Sequence, residues 1–295
     1  MSVLYEHLSE LARQMMAASD EKRTAFIAAP RWIGTDAALK AHGKLQGLLD
    51  RPKLIRTQGI ALVGPYFNGK TVIAERFLLQ HLKTTGKQRV WVVQTREGAG
   101  LVNFFSGIVK DMRAPEPPRS SVAQLTEQVD VLFRHLQPRI IIFDEFHNAL
   151  RGRGKDIEAI FAFLRRIGRL YDISPVLIGE VSVHDYINST TEMSSRIETV
   201  PVPRWQYDEA YLSLLDTLEA AVPLAHPSEL SSERFARRIF AMSEGLIGET
   251  VKVIADAAIV AIGTGKERIS LKTLQSLDHL PPSQRRRSSL REALL

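Results

Sequence analysis

The chain contains no cysteine among its 295 residues. This absence excludes a disulfide framework and a thiolate metal site, and it fits a reducing compartment. No apolar run reaches the roughly 18 residues that a membrane span requires. Residues 1–14 are charged and amphipathic, unlike a signal peptide, and no internal repeat is visible. Together these absences predict a soluble, cytoplasmic protein without a membrane partner.

The composition is that of an ordinary globular protein, with 44% hydrophobic and 24% charged residues. The length suits one large domain or two modest ones. The formal net charge of +6 and the pI of about 9.6 are mildly basic. This balance is compatible with a nucleic-acid partner without requiring one.

Residues 64–71 carry the strongest motif, Gly-Pro-Tyr-Phe-Asn-Gly-Lys-Thr, which matches the phosphate-binding pattern G-x-x-x-x-G-K-[ST]. An apolar run precedes the motif and a helical pattern follows it, which is the required context. Backbone N–H groups of such a loop and the start of the next helix bind polyphosphate. We expect Lys70 to reach the β- and γ-phosphates of ATP and the Thr71 hydroxyl to bind Mg²⁺. The expected nucleotide-binding residues of the loop are Gly64, Pro65, Asn68, Gly69, Lys70 and Thr71.

The rest of the chain alternates strand and helix and then becomes helical. The predicted strands are 60–63, 90–93, 140–143, 176–178 and 197–202. Short connections through helices predict a parallel five-stranded α/β sheet covered on both faces. After residue 205 the pattern predicts only helices, with Ser231 and Ser270 as N-caps. We therefore expect an N-terminal helical flank (1–52), an α/β core (53–204), a helical lid (205–280) and a basic tail (281–295).

A second motif completes the nucleotide site. The apolar run 140–143 ends in Asp144 and Glu145, the Walker B pattern. We expect Asp144 to hold Mg²⁺ and Glu145 to polarise the attacking water. The run 90–93 lies between the two motifs in sequence, and with the paired Asp-Glu this is typical of additional-strand P-loop ATPases.

Three further positions near the predicted site leave alternatives open. Glu180, after the fourth strand, either faces the γ-phosphate or turns away from it. Arg196 is either an arginine finger for a neighbouring subunit or a surface residue in an ion pair within its own chain. Trp32, beside Arg31, either clamps a nucleotide base or packs in the core.

Two loops offer cations and small residues for sequence-independent contact with DNA phosphates. The first has Thr95 and Arg96 after the second strand, and the second has Arg151, Arg153 and Lys155 after Walker B. The alternative for both is a solvated loop. The cations 285–287 of the tail could also bind DNA, although we prefer a flexible hook for a partner, and the remaining alternative is a solubilising end.

Several of these runs together resemble the AAA+ ATPases of the TniB/TnsC family, which regulate bacterial DNA transposition. The resemblance covers about residues 30–265. Besides the P-loop, it rests on Arg-Trp-Ile at 31–33, Asp-Glu-Phe-His-Asn-Ala-Leu at 144–150, Pro-Val-Leu-Ile-Gly at 175–179, Ser-Arg-Ile at 195–197, Pro-Arg-Trp at 203–205 and Ser-Glu-Gly-Leu-Ile-Gly-Glu at 243–249.

The resemblance implies a DNA-associated bacterial ATPase that uses ATP and Mg²⁺. It implies a homo-oligomer, either a hexamer or heptamer ring or a helical filament, assembled around double-stranded DNA. The implied partners are a DDE transposase and a target-selection protein. Other functions stay open, namely a helicase-loader or remodelling ATPase and a nucleotide-gated signalling switch without DNA.

The chain departs from this family at two places. Glu180 stands where relatives often have a small polar residue. Thr250 and Val251 stand near the position where many AAA+ lids carry a sensor arginine, and Lys252 is the nearest cation. Both departures weaken the expectation of fast turnover.

Overall fold

A computed structural model describes residues 5–30, 32–53, 58–98, 100–115 and 119–285. Arg31, residues 116–118 and tail residues 286–295 lie outside these ranges. The strands are β1 (Gly59–Val63), β2 (Val90–Gln94), β3 (Ile140–Asp144), β4 (Ser174–Gly179) and β5 (Ile197–Pro201). The α-helices are α1 (Glu10–Met15), α2 (Asp20–Ala28), α3 (Asp36–Asp50), α4 (Lys70–Thr85), α5 (Leu101–Asp111), α6 (Val122–Leu136), α7 (Gly154–Tyr171), α8 (Val181–Asn188), α9 (Thr191–Ser194), α10 (Glu209–Ala220), α11 (Glu233–Ser243), α12 (Ile247–Gly263) and α13 (Leu271–Ser276). A 3-10 helix spans Phe146–Arg151.

The described residues fall into two compact units. Trp32–Pro203 form the α/β unit, and Met1–Arg31 with Arg204–Leu295 form the helical unit. This division differs from the expected one, in which residues 1–52 form a separate flank. Helix α3 belongs to the α/β unit because its apolar face, including Ala41 and Leu45, packs into the core beneath the sheet.

The sheet is the expected parallel one, with the strand order β2-β3-β4-β1-β5. Successive residues of β3 alternate between two hydrophobic clusters. Ile140 and Ile142 face the cluster built with α3 and α4, whereas Ile141 and Phe143 face the cluster built with α5, α6 and α7. Burial on both faces explains why the strands read as continuous apolar runs.

The strand order shows that the strands carrying the two motifs, β1 and β3, are not neighbours in the sheet. Strand β2 lies between the two motifs in sequence, but in the sheet it lies at the edge, outside β3. The strand that separates β1 from β3 is β4. The register pairs Val63 with Gly179 and Gln94 with Asp144, so the loops after β1, β2, β3 and β4 start at one edge of the sheet.

The helical unit begins differently from the single helix suggested by the pattern over residues 4–19. Helix α1 starts after its N-cap Ser9, and a separate helix α2 follows Ser19. Asp20 and Glu21 in the first turn of α2 favour a new helix start, because carboxylates stabilise a helix N-terminus. Ser270 caps α13 as expected, whereas the cap of α11 is Ser232 rather than Ser231.

Helices α2, α8 and α9 were not anticipated from the pattern. Within the part of the chain that the structure describes, no helix combines the length and apolarity needed to cross a membrane.

Candidate nucleotide-binding site

The P-loop connects β1 to α4 through a backbone that only particular residues accept. Gly69 precedes the helix with φ 81°, a left-handed conformation that glycine adopts at little cost. A Cβ at Gly64 would collide with the carbonyl oxygen of Val202. The Asn68 amide donates to the carbonyl oxygens of Val202 (2.9 Å) and Pro203 (2.8 Å), which fixes the loop against the chain after β5. The two glycines and Asn68 of the motif are therefore explained by the loop's shape.

Lys70 is buried at the first position of α4. Its Nζ donates to the carbonyl oxygens of Gly64 (3.0 Å) and Pro65 (2.7 Å). Burial lowers the pKa of Lys70, because desolvation disfavours the ammonium form. The carboxylates of Glu145, Asp144 and Glu180 oppose this shift. The structure therefore brings Lys70 within electrostatic reach of the residues that the sequence predicted to lie around a triphosphate.

Thr71 and Asp144 meet at the edge of the sheet. The Thr71 hydroxyl donates to Asp144 Oδ2 at 2.6 Å, and Asp144 is only 1% exposed. The other carboxylate oxygen, Oδ1, accepts the backbone N–H of Glu145 at 2.8 Å. A hydroxyl and a carboxylate oxygen converging beside a phosphate loop are the hard ligands that Mg²⁺ prefers.

No cluster of three or more His, Asp or Glu side chains with metal-site geometry occurs among the described residues. Thr71 and Asp144 would be the candidate protein ligands of a magnesium ion at this edge. Magnesium at nucleotide sites is usually bound through one or two carboxylates together with substrate phosphates.

Glu145 begins the 3-10 helix in a left-handed conformation with φ 52°. A non-glycine residue in this region is strained, and such residues concentrate at functional sites. The backbone carbonyl of Glu145 accepts the N–H of Asn148 at 2.9 Å. Its side-chain Oε2 lies 3.4 Å from Nε2 of His147. The one side-chain contact described for Glu145 is therefore the one to His147, two residues further along the 3-10 helix.

Glu180 follows β4 at the same edge and is exposed. Its carboxylate opposes the lowering of the Lys70 pKa that burial causes. Both alternatives for Glu180, facing the γ-phosphate or turned away from it, stay open.

Arg196 lies at the opposite end of the sheet. Its backbone carbonyl accepts the N–H of Gly59, the residue that begins β1, while the P-loop follows the other end of that strand. The guanidinium is 23% exposed, and its Nη2 is 3.6 Å from the Glu192 carboxylate. Arg165 approaches the same carboxylate at 3.4 Å. Because a strand of five residues separates the two ends, by about 15 Å at 3.3 Å per residue, Arg196 does not reach its own chain's P-loop.

The two loops proposed for DNA differ in accessibility. Thr95 is 5% exposed, and its backbone carbonyl accepts the Asn148 amide at 3.2 Å. Its side chain therefore does not lie at the surface, as a DNA phosphate contact would require, because its strand-end position buries it against the 3-10 helix. Arg96 is half-buried and donates to Ser106 at 2.7 Å.

The second loop keeps its side chains at the surface. Arg151, Arg153 and Lys155 are all exposed, and they surround the start of α7.

Trp32 packs within the α/β unit. Its ring stacks on His42 with centroids 4.6 Å apart, and the Arg76 guanidinium lies 5.9 Å from the ring centroid. It also packs against the cluster beneath the sheet. These contacts support the packing interpretation.

The helical unit holds the second departure from the family pattern, at Thr250 and Val251, with Lys252 as the nearest cation. Thr250 is buried and donates to the Leu246 carbonyl, so it belongs to the core of α12. Lys252 is exposed and pairs with Asp256 at 2.6 Å.

In the tail, Arg285 is bound to the buried Glu249 through both carboxylate oxygens, at 2.7 Å and 2.5 Å. The free hook expected at 285–287 therefore does not include Arg285.

Sequence reasoning assigned no role to two residues that contact the predicted site residues. His147 contacts Glu145, and its signal was the histidine in the Asp-Glu-x-His run. Glu192 pairs with Arg196 from four residues earlier, a helical spacing that favours ion pairs.

The fold and the site define a P-loop ATPase of the AAA+ class. A parallel sheet of order β2-β3-β4-β1-β5 carries the phosphate loop after β1 and the paired carboxylates after β3.

Solved structures agree with this class. Cdc6p from Pyrobaculum aerophilum superposes with a TM-score of 0.58 at 16% identity, covering 83% of this chain and 67% of that one. The Aeropyrum pernix ORC1 protein in complex with DNA gives 0.57 at 15% identity, covering 86% and 68%. A Walker-type ATPase of Pyrococcus abyssi gives 0.53 at 15% identity, covering 81% and 72%. At these identities the likeness shows the fold.

The family model described as bacterial TniB protein matches residues 23–207, which include the whole nucleotide site. The chain therefore belongs to the TniB family. No curated protein sequence matches it.

Proposed function

We propose that this protein is an ATP-dependent regulator of DNA transposition that assembles on duplex DNA. The observation that carries the proposal is the TniB match over the candidate nucleotide site. In that site Lys70 donates to a carbonyl oxygen of the phosphate loop, and the Thr71 hydroxyl donates to Asp144. In this proposal the assembled protein recruits and activates a DDE transposase at a target chosen with a selection protein. The expected location is the bacterial cytoplasm, on DNA.

Within one subunit, the loop N–H groups and Lys70 bind the phosphates of ATP, which supplies the reactive γ-phosphoryl group. On binding, Lys70 exchanges its two loop carbonyls for phosphate oxygens. Thr71 and Asp144 would hold Mg²⁺, which would neutralise charge on the phosphates, and Glu145 orients and polarises the attacking water. The left-handed turn at Glu145 keeps the carboxylate at the edge without rearrangement of the strand.

Between subunits, we propose that Arg196 contributes to the site of a neighbouring copy. An arginine that cannot reach its own P-loop but is partly exposed can stabilise the transition-state charge only on another chain. ATP binding and subunit contact are then coupled, which explains assembly as a ring or helical filament.

The proposed DNA contact is the exposed group Arg151, Arg153 and Lys155. Each subunit contributes a few phosphate contacts, and repetition around the assembly multiplies them into tight binding without base readout.

The test is cooperative assembly on DNA. Purified protein with Mg²⁺ and a non-hydrolysed ATP analogue is titrated with duplex and examined by filter binding and electron microscopy. The proposal expects rings or filaments that require both nucleotide and duplex. Protein that stays monomeric at all duplex concentrations contradicts it.

The likeness to Cdc6p and to a DNA-bound ORC1 favours a second candidate, a loader-like or remodelling ATPase. The same assay with single-stranded DNA separates the two candidates. Preference for duplex supports the transposition regulator, and preference for single strands supports the loader.

A further inference from the structure

His147 lies beside the proposed catalytic carboxylate and has no assigned role. Its Nε2 is 3.4 Å from Oε2 of Glu145. The histidine side chain is 10% exposed, whereas that of Glu145 is 26% exposed. A mostly buried ring therefore lies beside a carboxylate that is more accessible to solvent.

The ring is held on a rigid element. Phe146 and Asn148, its neighbours in the 3-10 helix, are both buried. Gly179, the last residue of β4, lies against the backbone of His147, because a Cβ at Gly179 would come within 3.3 Å of the His147 nitrogen and 2.6 Å of Val183 Cγ2. The backbone that carries the ring therefore packs against the end of β4.

The two ring nitrogens have different environments. Nδ1 is buried without a hydrogen-bond partner among the residues that the structure describes. Nε2 is the nitrogen that faces the Glu145 carboxylate. Since a carboxylate accepts and does not donate, this geometry favours the tautomer with the proton on Nε2.

We propose that His147 is the positioning residue of Glu145: it donates from Nε2 to the carboxylate and fixes the direction in which the other oxygen faces the attacking water. This rests on the proposed role of Glu145 as the water-polarising residue. The strained backbone at Glu145 aims the side chain, and His147 selects its orientation. Without the contact the carboxylate samples other rotamers, and misplacement of about 1 Å can cost on the order of 10²-fold in rate.

The test measures DNA-stimulated ATP turnover in His147→Ala and His147→Gln. The first variant removes the donor, and the second supplies an amide N–H near the position of Nε2. We expect His147→Ala to lower kcat at least about tenfold while leaving KM and the affinity for a fluorescent ATP analogue within about twofold. We expect His147→Gln to recover most of kcat.

His184→Ala is the matched control. His184 is a half-buried histidine of the same unit whose Nδ1 contacts Thr199 at 3.0 Å, away from Glu145. The variant His184→Ala should leave ATP turnover unchanged. Thermal unfolding of each variant shows whether it is folded.

A double mutant separates this inference from the proposed function. In a Glu145→Gln background, His147→Ala should reduce the residual rate no further, because its effect passes through the carboxylate. If Glu145→Gln itself keeps full turnover, the role of Glu145 fails and the inference fails with it.

If Glu145→Gln stalls turnover, the inference alone is overturned by any of three results. These are full activity of folded His147→Ala, equal loss in the alanine and glutamine variants, and an undiminished effect of His147→Ala in the Glu145→Gln background.

Discussion

The two ends of the central sheet differ in the contacts that the candidate site residues make within their own chain. At the end that carries the P-loop, Lys70, Asp144 and Glu145 each contact a partner in the same unit. At the other end, Arg196 has a single long contact of 3.6 Å to an exposed carboxylate, and its buried Nε has no hydrogen-bond partner among the described residues. In the proposed function, one subunit therefore supplies the residues that bind phosphate and Mg²⁺, whereas the charge-stabilising arginine comes from a neighbouring subunit.

At the P-loop end of the sheet, the substitution with the largest expected effect is Lys70→Ala. We expect loss of nucleotide binding and of assembly together, because the substitution removes the buried cation that meets the phosphates. Isothermal titration with an ATP analogue and light scattering with duplex measure the two effects. Lys83→Ala, at an exposed lysine of the same helix, should change neither. Assembly by the Lys70 variant would show that ATP does not drive it.

Glu145→Gln should separate binding from hydrolysis. The amide keeps the shape but no longer polarises water, so we expect ATP affinity to be retained and turnover to fall by about 10³-fold. Filaments should persist in ATP, as seen by electron microscopy over time. Glu75→Gln, at an exposed position on α4, serves as the control. Rapid turnover by the Glu145 variant would remove this residue from the catalytic role.

Arg196→Ala tests the opposite end of the sheet, where Arg196 is proposed to act on the site of a neighbouring subunit. We expect ATP binding by isolated subunits to be unchanged and assembly-dependent turnover to fall by about 10²-fold, the usual cost of losing one donor to developing charge. Arg169→Ala, at an exposed arginine of α7, should have no effect.

A mixture of two variant proteins tests more directly whether Arg196 acts between subunits. Glu145→Gln subunits still carry Arg196, so adding them to Arg196→Ala subunits should restore turnover above the sum of the two variants alone. A mixture with only the summed activity would contradict an arginine acting between subunits.

The smallest expected effect concerns DNA. The triple variant Arg151→Ala, Arg153→Ala, Lys155→Ala should weaken duplex binding uniformly across sequences. The slope of log affinity against log salt should fall by roughly 0.9 for each DNA phosphate that the variant no longer neutralises. A triple alanine variant of the exposed Lys40, Lys83 and Arg134 should keep the slope. An unchanged slope in the first variant would place the DNA-binding surface elsewhere.

The nucleotide site was predictable from the sequence because its chemistry is local. The P-loop needs its glycines and Lys70 in one short segment, and the Walker B carboxylates follow one apolar run. The accessibility of Thr95 was not predictable, because its burial depends on Asn148 from another loop. The ion pair between Arg285 and Glu249 escaped prediction for the same reason, since it joins a tail to the start of a helix.

The sequence by itself determined the α/β class, the five strands, the phosphate loop and the residues expected around ATP and Mg²⁺, since each depends on short-range pattern and residue chemistry. Only the tertiary structure decided that α3 joins the sheet unit, that β4 separates the two motifs, and that His147 lies beside Glu145. It also decided that Arg196 lies at the far end of the sheet from its own P-loop. These features depend on strand order and on packing between distant segments, which a periodic pattern along one segment does not contain.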